Sequence, residues 1–167
     1  DRVEAAVEEA RAMRALGDAK PYMNQRLGRA FTERGRYAEA EAQLKQAIES
    51  TPRFQDVHYL LGRLYARQEE DEAALDAFTR ALELNPHDAR VHNEMGELYE
   101  RRDEWRKALE HYDAALRIVP DFAYVLDKYG RILSARGRHD EAIARYEQAL
   151  EADPEFQDVY YLLGRTL

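Results

Sequence analysis

Arginine and tyrosine recur at fixed intervals along this sequence. Four arginines stand 34 or 68 residues apart, and two tyrosines each recur 102 residues later. A guanidinium group can hold a carboxylate through two hydrogen bonds, and a phenol ring adds rigid, partly apolar contact area. The set therefore predicts binding of an acidic protein segment. With the polar positions in the same register, the candidate binding residues are Tyr22, Arg29, Tyr59, Arg63, Arg90, Asn93, Tyr124, Arg131, Tyr161 and Arg165.

These arginines also have a second interpretation. An arginine favours helix formation and can pair with a glutamate four residues further on, as Arg29 could with Glu33. In that case the arginine is a solvated surface residue and binds no partner. The sequence leaves both interpretations open.

Residue patterns that support catalysis or metal binding are missing from the sequence. The chain has no cysteine, and its five histidines do not show the spacing of a metal-binding motif. His58 and His92 stand 34 residues apart, which favours a packing role. The acidic runs at residues 69–72 and 140–141 suit the first turns of helices, where negative charge is favourable. We therefore predict no catalytic residue, no metal, no cofactor and no enzymatic activity.

Composition limits the class of partner. The 167 residues carry a net charge of -8, which argues against nucleic acid or an anionic membrane as the main ligand. No apolar stretch is long enough to cross a membrane, and the first residues lack the apolar centre of a signal peptide. The compartment is undetermined: cytoplasm is the default expectation, and periplasm stays open. Because the chain begins with Asp1, we expect it to be a piece or a processed product of a longer chain.

A 34-residue period must position the candidate residues. Small residues and prolines keep this step without a slip, and the apolar residues between them follow helical steps of three and four. Each cycle is therefore predicted to contain two short helices, with glycine and alanine allowing the helices to approach closely. The glycines in this register are Gly28, Gly62, Gly96, Gly130 and Gly164, and the prolines are Pro52, Pro86, Pro120 and Pro154. The alanines are Ala40, Ala74, Ala108 and Ala142, then Ala47, Ala81, Ala115 and Ala149.

The pattern of Leu61-Gly62, Tyr65, Ala74, Phe78, Ala81 and Pro86 resembles the tetratricopeptide repeat, and the resemblance extends from Pro21 to Leu167. It implies an all-α fold, a right-handed superhelical solenoid of antiparallel helix pairs. It also implies a non-catalytic scaffold whose concave face, lined by the first helix of each pair, binds a peptide or protein. In this register the same stripe also includes Glu97 and Asp127.

The phasing predicts a single array over residues 1–167. Residues 1–20 resemble an unpaired second helix, and residues 157–167 resemble the first helix of a fifth repeat. The full repeats are predicted at 21–54, 55–88, 89–122 and 123–156.

Two functional alternatives remain. Residues 1–20 and 157–167 have complementary deficits, so copies of the chain could associate head to tail. The chain could instead be the recruitment segment of a larger enzyme. The ending FQDVYYLLGRTL repeats nine of the twelve residues of FQDVHYLLGRLY, which begins 102 residues earlier, so a three-repeat unit has been duplicated.

Overall fold

The computed structural model describes residues 20–166, which form helices joined by short turns, with no β-strand in this range. The predicted all-α class of helical repeats is confirmed. Residues 1–19, where an unpaired helix is predicted, lie outside the described residues. In chain order the helices are α1 Lys20–Glu33, α2 Tyr37–Ser50, α3 Gln55–Arg67, α4 Asp71–Leu84, α5 Ala89–Arg101, α6 Trp105–Ile118, α7 Ala123–Ala135, α8 His139–Ala152 and α9 Gln157–Thr166.

The chain forms two compact units. The first ends at Pro86 and the second begins at His87. In the first unit α1 packs on α2 and α3 packs on α4, while α2 and α1 both contact α3. In the second unit α5 packs on α6 and α7 packs on α8. There α6 contacts α7, and α9 contacts α8 and α7. We call α1, α3, α5, α7 and α9 the leading helices, and α2, α4, α6 and α8 the trailing helices.

Close packing of each helix pair depends on the glycine of the leading helix. An ideal Cβ atom at Gly62 would lie 2.5 Å from the ring of Phe78 on α4, and one at Gly130 would lie 2.5 Å from the ring of Tyr146 on α8. Both rings are fully or almost fully buried. Only a residue without a side chain leaves room for them. The two alanine registers of the trailing helices are fully buried beside these rings.

The turn inside each pair has a repeated left-handed residue. Gly35, Glu69, Asp103 and Gly137 all have φ between 57° and 74°. The backbone N–H of the residue that follows each left-handed residue donates to the carbonyl five positions earlier. The Glu70 N–H, for example, donates to the Tyr65 carbonyl oxygen at 3.0 Å. This hydrogen bond closes the carboxyl end of the leading helix.

The four prolines of the 34-residue register lie in the loops between the helix pairs. Each trailing helix ends two residues before its proline, and the next helix begins three residues after it, as at Pro52. Within residues 20–166, the helices fall short of the length and apolarity needed to cross a membrane.

We expect Gly62→Ala to lower the free energy of unfolding by about 1–2 kcal/mol. The new methyl group overlaps the buried Phe78 ring, and this overpacking outweighs a gain in helix propensity of about 1 kcal/mol. Gly164→Ala is the matched control, because Gly164 stands in the same Leu-Gly-Arg context and its Cβ would meet no described atom within 4 Å. Urea unfolding followed by circular dichroism measures both. Equal effects of the two substitutions would contradict this role of Gly62.

Candidate partner-binding site

In the first unit the candidate residues lie on α1 and α3. Tyr22 is 56% exposed, and Arg29, seven residues later on the same helix, is also exposed. Arg29 Nε donates to Glu33 Oε1 at 3.0 Å, with side-chain exposures of 67% and 57%. On α3, Arg63 lies over the Tyr59 ring with 5.8 Å between the guanidinium carbon and the ring centroid. The tyrosine and arginine of α1 are therefore exposed, whereas Tyr59 and Arg63 of α3 are half-buried.

The α5 candidates are bound within the second unit. Arg90 donates through its backbone N–H and its guanidinium group to Asp88, the residue that caps α5. Asn93 Nδ2 donates to Glu97 Oε1 at 3.2 Å. Both side chains are thereby held against acidic groups of the same unit.

On α7, Arg131 is tied to a buried carboxylate. Its Nε lies 2.9 Å from both oxygens of Asp127, whose side chain is only 4% exposed. Burial raises the pKa of Asp127, and the hydrogen bond and charge of Arg131 oppose that rise. The sequence predicts that Asp127 belongs to the binding stripe of its leading helix. In the structure Asp127 is instead a buried carboxylate, and Arg131 neutralises its charge.

Tyr124 links α7 to α5. Burial raises the pKa of Tyr124 to about 12, with further contributions from the charge of Glu97 and from a hydrogen bond to it. Nearby, the Tyr112 hydroxyl of α6 donates to Glu100 Oε2 at 2.9 Å. Lys128 Nζ lies 3.8 Å from Glu100 Oε2. This face of the second unit is a network of carboxylates and tyrosines, in contrast to the arginine-rich face of α1 and α3.

One sequence feature indicates this network, although Glu97 is not among the candidate residues. Glu97 stands in the register where the other four cycles have arginine.

On α9, Tyr161 is 67% exposed, and the guanidinium carbon of Arg165 lies 5.6 Å from the centroid of the Tyr161 ring. The candidate set is thus distributed over all five leading helices.

The histidines of α5 and α6 form a pair. His92 Nδ1 and His111 Nδ1 are 3.1 Å apart, and the Tyr99 ring stacks on His111 with 5.4 Å between centroids. Burial, and then the charge of His92, lowers the pKa of His111 to about 4. Across residues 20–166, no three histidine, cysteine or acidic side chains are grouped as a metal site would require. This pair lies at a helix-packing contact.

Two sequence models of the tetratricopeptide repeat family match the chain, one over residues 26–89 and the other over residues 87–155. The chain belongs to the tetratricopeptide repeat family. Proteins built from these repeats are generally non-catalytic interaction scaffolds. Among curated protein sequences, none matches this tetratricopeptide repeat protein significantly.

Solved structures share the tetratricopeptide repeat fold. MamA is 25% identical over 93% of this chain and 89% of its own chain, with a TM-score of 0.78. YrrB, described as a tetratricopeptide repeat protein with an unusual peptide-binding site, is 20% identical over 99% of this chain and 82% of its own, with a TM-score of 0.73. PilF of Pseudomonas aeruginosa is 21% identical over 90% and 68%, with a TM-score of 0.81.

We expect Arg131→Ala to lower the free energy of unfolding of this tetratricopeptide repeat protein by about 2 kcal/mol. The substitution leaves the Asp127 charge buried without its cation. Arg29→Ala, which breaks an exposed pair, should cost less than about 0.5 kcal/mol. Urea unfolding measures both, and Asp127→Asn should recover most of the loss in Arg131→Ala because it removes the buried charge. Equally small losses in the free energy of unfolding for Arg131→Ala and Arg29→Ala would contradict a stabilising role of Arg131.

Acidification should destabilise the second unit through His111. Its pKa is near 4 in the folded chain and near 6.5 when exposed, so the unfolded chain binds the proton first as the pH falls. The stabilising contribution is therefore complete above about pH 6.5 and is lost progressively towards pH 4. Allowing for solvent screening of a half-buried ring, we expect a loss of about 1 kcal/mol between about pH 7 and pH 5.

His111→Gln is the matched variant, since it keeps a polar side chain but cannot take up the proton. Thermal unfolding followed by circular dichroism across this pH range should show a shallower decline for the variant than for the parent chain. Identical declines would mean that His111 does not cause the pH dependence.

Proposed function

We propose that this tetratricopeptide repeat protein is a non-catalytic scaffold that binds a peptide or protein segment of acidic character through its leading helices. The supporting observation is the arginine and tyrosine surface of α1 and α3, on which Tyr22 and Arg29 are exposed and Tyr59 and Arg63 are half-buried. Rigid aromatic area beside guanidinium groups is the composition of binding hot spots. YrrB, a protein of the same fold, is itself described as having a peptide-binding site.

The preference for an acidic ligand rests on the weakness of the Arg29–Glu33 pair. Both side chains are more than half exposed, and such a pair contributes only about 0.3–0.5 kcal/mol. A ligand carboxylate can therefore replace Glu33 at little cost. Arg131 is less available, because moving it would leave Asp127 buried and unpaired. The first unit is thus the better part of the predicted stripe for binding acidic groups.

Head-to-tail assembly of copies is the less favoured alternative. It requires residues 1–20 to act as the trailing helix for α9, and of these only Lys20 is described. In the 34-residue register, Ala10 would stand opposite Gly164, where the four described pairs have Leu44 or an aromatic residue. A methyl group fills little of that space, so this assembly would bury less apolar surface than the pairs do. A role as the recruitment segment of a larger enzyme is compatible with the proposed binding.

Selection from a phage-displayed library of peptides of about 12 residues tests the proposal, since extended and helical ligands are both represented. We expect peptides selected on the parent chain to be enriched in aspartate and glutamate. The double substitution Arg29→Glu and Arg63→Glu should weaken their binding at least about tenfold in fluorescence anisotropy, because it places like charges opposite the ligand.

Arg80→Glu is the matched control. Arg80 is also an exposed arginine of the first unit and pairs with Glu83, but it lies on trailing helix α4. Its reversal changes the net charge in the same direction without altering the α1 and α3 surface. Selected peptides without acidic enrichment, or equal weakening by the control, would contradict the acidic preference. Failure to select any binding peptide would contradict peptide binding itself.

A further inference from the structure

Glu97 reverses the charge that its register carries elsewhere in the chain. The equivalent residues of the other leading helices are Arg29, Arg63, Arg131 and Arg165. Glu97 is half-buried on α5, and its carboxylate accepts hydrogen bonds from Asn93 Nδ2 at 3.2 Å and from the Tyr124 hydroxyl of α7. Both donors are neutral groups, so they leave the negative charge of Glu97 uncompensated.

The neighbouring carboxylates differ from Glu97 in having a cation. Lys128 Nζ lies 3.8 Å from Glu100 Oε2, and Arg131 Nε lies 2.9 Å from Asp127 Oδ2. Among the described residues Glu97 forms no ion pair. A partly buried carboxylate is stabilised by a cation, because the partner charge offsets the lost hydration. A ligand cation would therefore give Glu97 what Lys128 and Arg131 give the other two carboxylates.

The Asn93 amide adds a second acceptor beside Glu97. Its nitrogen is directed to Glu97 one helical turn away, and this hydrogen bond fixes the orientation of the amide. The other end of the amide, Oδ1, is buried and accepts no hydrogen bond from a described residue. A buried acceptor without a donor is unfavourable. A ligand N–H group that reaches Oδ1 therefore gains more there than at a solvated oxygen.

Tyr124 adds a third acceptor from the next leading helix. Its side chain is 40% exposed, and its hydroxyl hydrogen is directed to Glu97, so its oxygen can only accept a further hydrogen bond. Lys128 Nζ lies 5.5 Å from the centroid of the Tyr124 ring, so an ammonium group is already accommodated beside this ring. Asn93, Glu97 and Tyr124 thus present acceptor oxygens to a ligand.

We propose that Asn93, Glu97 and Tyr124 form a binding site for a primary ammonium group, the lysine side chain of a partner protein segment. An ammonium group has three N–H donors and no acceptor, which matches an amide oxygen, a carboxylate and a phenol oxygen. It is also compact, whereas the larger planar guanidinium group favours two parallel bonds to one carboxylate. The family, whose members are generally interaction scaffolds, favours a protein as the source of the lysine. The site takes the opposite charge to the α1 and α3 surface, so it goes beyond the proposed function.

Nuclear magnetic resonance of the isotope-labelled full chain tests this site. The probe is the pentapeptide acetyl-Ala-Ala-Lys-Ala-Ala-amide, and the matched probe carries Nε-acetyl-lysine, which removes the charge of the side chain. We expect the lysine peptide to shift the signals of the Asn93 side-chain amide and the Tyr124 ring saturably, with a Kd below about 5 mM. The acetylated peptide should bind at least about tenfold more weakly. Equal binding of the two peptides, or no saturable shift up to about 20 mM lysine peptide, would overturn the proposal.

Glu97→Gln is the decisive variant, because it keeps the shape of the side chain and removes its charge. Binding of the lysine peptide should weaken at least about tenfold. Glu110→Gln is the matched control: Glu110 is an exposed acid of trailing helix α6, and its substitution changes the net charge equally without altering the site. Equal weakening by both variants would show general attraction to an acidic surface and contradict the site. Circular dichroism checks that both variants fold, and the two peptides on the parent chain decide the question if Glu97→Gln does not.

n-Butylamine separates a protein lysine from a free amine. It carries the same ammonium group without a peptide backbone, so we expect it to bind at least about threefold more weakly than the lysine peptide. Equal or tighter binding of n-butylamine would assign the site to small amines and overturn the protein source. These measurements use no acidic ligand and no residue of α1 or α3. Failure of this site and failure of the proposed acidic binding are therefore distinguishable.

Discussion

Close approach of two helices at a glycine is the constraint on which each repeat depends. The leading helix leaves out one side chain, and the trailing helix inserts a large one in its place, as Tyr112 does at Gly96. Fully buried alanines on either side keep the backbones near one another. Because the contact uses one face of the leading helix, its other residues are released from packing against the trailing helix. Those residues form the candidate binding surface.

Burial of the acidic partner decides what an arginine on that surface does. Arg29 and Arg131 occupy the same position of their repeats and both bind a carboxylate, but Glu33 is exposed and Asp127 is not. An exposed pair exchanges with solvent and ligands at low cost, whereas a buried carboxylate needs its cation to remain charged. A periodic sequence can therefore place one residue type in one register and still give it two roles. Under the proposed function Arg29 remains available to a ligand, whereas Arg131 is held by the buried Asp127 carboxylate.

The same reasoning applies to the remaining polar groups of the second unit. Glu97 and Glu100 accept hydrogen bonds from Tyr124 and Tyr112, which join three helices through their side chains. The Tyr112 hydroxyl belongs to a fully buried side chain and needs its acceptor, so this contact fixes Glu100 beside Tyr112. The two units therefore share a backbone pattern but present different charges. A partner that contacts α1 and α3 meets mainly guanidinium groups and tyrosine rings, whereas α5 and α7 offer carboxylates.

The sequence by itself determined the repeat, the helix pairs and the close-packing glycines, because helical periodicity and the absence of a side chain are local properties that a 34-residue period makes visible. It also placed Arg29 and Arg131 in equivalent positions. Tertiary structure alone decided that Asp127 is buried and that two histidines meet across α5 and α6. Burial and pairing depend on which neighbouring helix is present, and that information is not carried by the spacing of residues within one repeat.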